Sequence, residues 1–120
     1  MILVDTSVWI DHLRKGNVRL EKLLNENKVL CHPFIIGELA CGNLKNRAQI
    51  LSLLEFLPKA VQAEHEEVMQ LIESRCLMGK GLGYIDVHLL ASALMTPVTL
   101  WTLDEKLQKE FSSLVLKSRI

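Results

Sequence analysis

Twice in this chain a short, strongly apolar run ends in an aspartate and passes directly into helical spacing: MILVD at residues 1 to 5 and VTLWTLD at 98 to 104. Apolar runs of this length bounded by a turn read as interior strands. After the first, Ser7 to Leu13 has helical spacing with Val8, Trp9 and Leu13 on the apolar side. Val18, Leu20, Leu23 and Leu24 form a second helical stripe, closed by the Asn25-Glu26-Asn27 turn, and Val29-Leu30-Cys31 follows as a short buried strand. Pro33 suits the first turn of a helix running from Phe34 to Ala40, because its missing N–H has no partner there anyway. Ile50, Leu53, Leu54 and Leu57 mark a helix stopped by Pro58, and an extended piece at 60–63 leads to a helix from about Glu64 to Met78, with Cys76 on its buried side. A glycine-rich loop at 79–83 precedes a helix from Tyr84 to Met95; Val98 to Trp101 is the second strongly buried strand. Asp104 to about Ser112 is expected to be helical and Leu114-Val115-Leu116 a final strand. Alternation of strand and helix from end to end predicts an α/β fold: a mostly parallel central sheet with helices on both faces.

The bulk properties agree with this pattern. With 120 residues, 49% of them hydrophobic, the chain reads as a single domain (1–120) able to bury one core without a staple. No segment approaches the roughly 18 uninterrupted apolar residues of a membrane span, and no basic amino-terminal region precedes a long apolar run. A cytoplasmic protein with no membrane partner is therefore expected. Cys31, Cys41 and Cys76 are odd in number and far apart, which argues against disulfides or a C-x-x-C site and predicts core thiols. Fourteen basic and fourteen acidic residues cancel, so no overall charge advertises a nucleic acid. That objection weakens if several of the acids hold a metal, since the remaining surface then carries an excess of positive charge.

Four acids stand where a charge needs a reason. Asp5 and Asp104 follow interior strands, Glu38 lies in the apolar helix FIIGELACG, and Asp86 lies in the first turn of GYIDVHLLASAL. Each has a local alternative: Asp5, Thr6 or Ser7 can cap the first helix, Asp86 and Asp104 can be caps or first-turn acids, and Glu38 can occupy an exposed stripe. In a parallel sheet, however, the strand ends bearing Asp5 and Asp104 open on one edge, where α/β sheets keep their ligand crevice, and helix starts facing that edge lie nearby. Two charges about 4 Å apart repel by roughly 1 kcal/mol in water and about 4 kcal/mol at an effective dielectric near 20. No Lys or Arg adjoins Glu38 or Asp86 so as to pair them obviously. A divalent ion is the natural compensator, and all-oxygen ligands select Mg²⁺ or Mn²⁺ over zinc. Such a site suits phosphoryl chemistry.

The order and context of these acids resemble those of PIN-domain ribonucleases of the VapC toxin type, through ILVDTSVWI, GELACG, GLGYIDVHLLASAL and LWTLDEKL. The likeness spans the whole chain. It implies a PIN-like fold and makes Asp5, Glu38, Asp86 and Asp104 the catalytic, metal-binding set, with Thr6, Ser7 and Thr102 as polar neighbours that orient ligands or water. It further implies a Mg²⁺- or Mn²⁺-dependent endoribonuclease that stops translation when released from a cognate antitoxin. Toxins of this type usually dimerise, and the antitoxin's carboxyl-terminal segment blocks the acidic site, often with a basic side chain. The alternatives are a PIN-like module that binds RNA or protein without catalysis and a Mg²⁺-dependent phosphohydrolase; the latter would want a second acid two residues after Asp5, where Ser7 stands.

Other signals carry less. GKGLG lacks the P-loop pattern and follows a helix, so it reads as a turn. His12, His32, His65 and His88 have no paired metal spacing. Trp9 and Trp101 read as core aromatics, and Arg75, Lys80 and Lys106 as solvated charges near the motifs. Finally, Leu20, Leu23, Leu24, Phe34, Ile35, Ile36, Leu39, Leu51, Leu54 and Phe56 are more apolar helix surface than one sheet is expected to cover, which predicts a leftover apolar patch and a two-fold homodimer.

Overall fold

The computed structural model describes residues 1–118. Its centre is a three-stranded parallel sheet of order β2-β1-β3, formed by β1 (Ile2–Val4), β2 (Val29–Leu30) and β3 (Thr99–Trp101). Leu3 pairs with Leu30 on one side and Leu100 on the other. Consecutive strand residues point to opposite faces, and Leu3 and Val4 are both fully buried, so both faces of β1 are covered, as expected for this class. The helices are α1 (Thr6–Lys15), α2 (Val18–Asn25), α3 (Pro33–Ala40), α4 (Arg47–Phe56), α5 (His65–Ser74), α6 (Tyr84–Met95) and α7 (Glu105–Ser118). Cys31 extends β2 by one parallel bridge to Lys59, with Cys31 N–H donating to Pro58 O and Ala60 N–H to Cys31 O. Because all three strands run the same way, the turns after Val4, Leu30 and Trp101 lie on one edge.

Four expectations need correction. Leu114-Val115-Leu116 is not a strand but the continuation of α7: Leu107, Phe111 and Leu114, all buried, recur at helical spacing, and the Ser112-Ser113 pair does not break the helix. The helix expected to reach Met78 ends at Ser74, and Cys76 stands in the following turn with a left-handed φ of 53°. Of the three thiols only Cys31 is buried; Cys41 closes α3 and is exposed, as is Cys76. The supposed surplus of apolar helix surface is also smaller than expected. Leu20, Ile35, Ile36, Leu39 and Leu54 belong to the core, leaving Phe56 at 83% and Phe34 at 37% exposure among the ten. No helix among the described residues is long and apolar enough to cross a membrane.

Candidate active site

Asp5 follows β1 directly, and its N–H donates to Trp101 O (2.9 Å), prolonging the β1–β3 ladder by one residue. It occupies the N-cap position of α1, yet its carboxylate makes no capping bond. Instead Oδ2 accepts from Ser7 Oγ (2.8 Å) and Thr102 Oγ1 (2.7 Å). Each hydroxyl has a single proton to give, and both go to Asp5. Their lone pairs are then available as acceptors: Ser7 Oγ receives Leu103 N–H and Thr102 Oγ1 receives Asp104 N–H. The two hydroxyls thus lock the carboxylate at the end of one strand to the backbone turn that leaves the other. Asp5 is buried, as is Thr102.

The other acids arrive from three helices. Asp104 caps α7: its Oδ1 accepts from the N–H groups of Lys106 (2.9 Å) and Leu107 (3.2 Å). Asp86 is in the first turn of α6, and its Oδ2 accepts Gly83 N–H (2.9 Å). The local readings of these two acids are therefore correct as far as they go. Glu38 is exposed rather than buried, because it lies on the outer stripe of α3; its Oε1 nevertheless accepts from Thr6 Oγ1 (2.7 Å), next to Asp5. The Asp86 carboxyl is pushed above its ordinary range, first by burial and then by the charges of Asp5 and Asp104, against the lowering effect of the Gly83 N–H. Three of the acids therefore share one electrostatic neighbourhood, with Glu38 joined to it through Thr6.

A common pattern runs through the four. Each carboxylate has one oxygen held by the protein's own donors, and its second oxygen receives no hydrogen bond from the described residues. None is paired with a described Lys, Arg or His; the ion pairs present are Lys15–Asp11, Lys28–Glu26 and Lys80–Glu110. Among the described residues, no three Asp, Glu, His or Cys side chains are grouped so that they could hold a metal ion together. The donor set still fits Mg²⁺, which is usually held by one or two carboxylates and keeps several waters.

Several residues around this edge have partners that the sequence did not disclose. Lys106 lies across Gly81, its Nζ 2.9 Å from where a Cβ would stand, and Gly81 adopts φ +77°; it makes no ion pair among the described residues, whereas Lys80 pairs with Glu110 at 3.5 Å. His32 caps α3 by accepting Phe34 N–H at Nδ1 (3.0 Å). Phe34, His88 and Tyr84 pack ring to ring beside it; the i, i+4 spacing of Tyr84 and His88 was the available signal. Of the tryptophans, Trp9 is buried, but Trp101 is only partly so and carries the Arg19 guanidinium 4.4 Å from its ring centroid.

Residues 2–111 match the PIN domain family. The chain is 48% identical to Ribonuclease VapC32 of Mycobacterium tuberculosis, in both the CDC 1551 / Oshkosh and H37Rv strains, over 109 residues covering 90% of this chain and 88% of the relative. In fold it resembles PAE2754 from Pyrobaculum aerophilum, with a TM-score of 0.61 and 16% identity, covering 97% of this chain and 87% of that one. With a parallel α/β sheet, acids at its carboxyl edge and likeness over nearly its full length, the chain belongs to the PIN-domain family, on its VapC ribonuclease branch.

Proposed function

We propose that this chain is the toxin of a toxin–antitoxin pair: a Mg²⁺- or Mn²⁺-dependent endoribonuclease of the cytoplasm that stops translation by cutting RNA. The observation that carries the reading is the set of four carboxylates, Asp5, Glu38, Asp86 and Asp104, each with one oxygen held by the protein and one left over. Unpaired acids that raise one another's proton affinity, as Asp5 and Asp104 do for Asp86, call for a cation. The likeness to proteins named as ribonucleases supports phosphodiester chemistry at that cation.

In this mechanism carboxylates drawn from Asp5, Glu38, Asp86 and Asp104 would hold the metal, which would supply Lewis acidity toward phosphate oxygens. The chain's own residues do the positioning. Ser7 and Thr102 fix the rotamer of Asp5 by donating to Oδ2; Thr6 turns Glu38 toward the same edge; Gly83 N–H orients Asp86. A cognate antitoxin silences the enzyme by placing a basic side chain among the acids, so antitoxin and metal compete. A two-fold homodimer completes the assembly.

Asp5→Asn and Asp86→Asn should each lower RNA cleavage by about 100-fold or more, the scale at which removing a group that stabilises transition-state charge acts, while circular dichroism stays unchanged. Chelation should abolish cleavage and Mn²⁺ should restore it at least as well as Mg²⁺. Cleavage that survives excess chelator would end the metal mechanism. RNA binding without cleavage in saturating Mg²⁺ and Mn²⁺ would make the chain a binding module instead, and hydrolysis of a phosphomonoester with no cut in RNA would make it a phosphohydrolase.

A further inference from the structure

We propose that Phe34 and Tyr84 form a stacking platform for an unpaired RNA base next to the scissile phosphate, and so help to choose where the strand is cut. The proposal rests on the ribonuclease reading of the acidic edge and deepens it. Phe34 and Tyr84 come from different helices, yet each packs against the same imidazole: His88 lies 4.7 Å from both ring centroids, at interplanar angles of 72° and 82°. His88 is buried, as is His32, which meets Phe34 edge-on at 5.1 Å. The outer end of Tyr84 is tied by its hydroxyl to His65 Nδ1 at 2.6 Å. On this rigid base the two rings stay open, Phe34 at 37% and Tyr84 at 44% exposure.

Each ring is thus held by its neighbours and still accessible to a flat partner. Their position says which. Tyr84 begins α6 two residues before Asp86, so its ring lies on another side of the helix from that carboxylate and on the side of His88. Phe34 precedes Glu38 by one turn on the same stripe of α3, about 6 Å along the axis. Phe34 therefore adjoins Glu38, with Tyr84 joined to it through His88, and a strand whose phosphate lies at the acidic edge carries a neighbouring base over the rings. Sequence-selective RNA recognition favours such sites, where an unstacked base lies on an aromatic face, and stacking needs no positive charge, in keeping with a chain of zero formal net charge.

The test uses the full-length protein, a fluorescein-labelled single-stranded RNA pool of random sequence, and two readouts: binding by anisotropy and cleavage kinetics with sequencing of the new ends. Phe34→Ala and Tyr84→Ala should each raise Kd and KM by about tenfold or more and flatten the base preference beside the cut, leaving kcat little changed. Phe34→Trp and Tyr84→Phe keep a ring and should stay near wild type, which separates stacking from a folding defect. Alanine variants with wild-type KM and unchanged cut-site preference would overturn the platform. So would equal losses on a fully paired duplex, whose bases offer no free face. If the wild type binds the pool without cutting it, the ribonuclease reading fails, and the binding constants still decide the platform.

Discussion

At the scale of single residues, the aspartate after β1 shows why a charge stands at the end of a buried strand. A capping role would have turned its carboxylate toward the N–H groups of α1; two hydroxyls turn it toward β3 instead. Thr102 acts through Asp5, so Thr102→Val should cost about 10–100-fold in activity or metal affinity, the usual range for a group that orients a ligand. Thr102→Ser should recover most of it. Asp86 makes a prediction with a sign. Its folded-state pKa is raised above the ordinary 3.8, by burial first and then by Asp5 and Asp104. A raised value means that the stability it contributes is complete at pH below 3.8 and lost as pH rises through the folded value. At neutral pH, Asp86→Asn should therefore raise the melting temperature of the metal-free protein, and the gain should vanish in acid, as calorimetry can check. These acids were legible in the sequence because strand ends and first turns are local features. The exposure of Glu38 was legible only as an alternative, since the face a helix presents depends on what packs against it.

At the scale of the element, α3 combines a readable start with a hidden one. Pro33 announces the helix, but the cap is His32, whose neutral Nδ1 accepts Phe34 N–H. Burial, then the charge of nearby His88, lowers its pKa to about 4 from the ordinary 6.5. A lowered value means that the stability is complete above pH 6.5 and lost as pH falls toward 4, amounting at full protonation of the unfolded chain to about 3 kcal/mol. Urea denaturation across that range should show the loss, and His32→Asn, which keeps a capping oxygen without titrating, should flatten it. In α7 the sequence misled. Leu114-Val115-Leu116 has the composition of a strand, and only the earlier Leu107 and Phe111 reveal the helical stripe to which Leu114 belongs. Three apolar residues fit either period, so the tertiary partner decides.

At the scale of the whole molecule, parallel topology was predictable from alternation, whereas the outer surface was not. Five of the ten apolar residues expected to overflow the core are buried within it, because three short strands leave the helices to pack on one another, as α3 does on α1 and α4. What remains is a cavity of about 370 Å³ between α1 and α4, lined by Trp9, Leu13, Leu24, Ile50, Leu53, Leu54, Phe56 and Leu57 with His12 at its rim. Phe56 projects from it at 83% exposure. In the proposed two-fold dimer, each Phe56 would enter the partner's cavity while its own cavity received the partner's, the self-complementary contact that closed symmetry requires. Phe56→Asp should therefore leave the fold intact, since the ring touches little of its own core, and yield a monomer by sedimentation at micromolar concentration. Phe56→Leu should remain dimeric. A wild-type protein that sediments as a monomer, or a dimer indifferent to Phe56→Asp, would remove this face from the assembly.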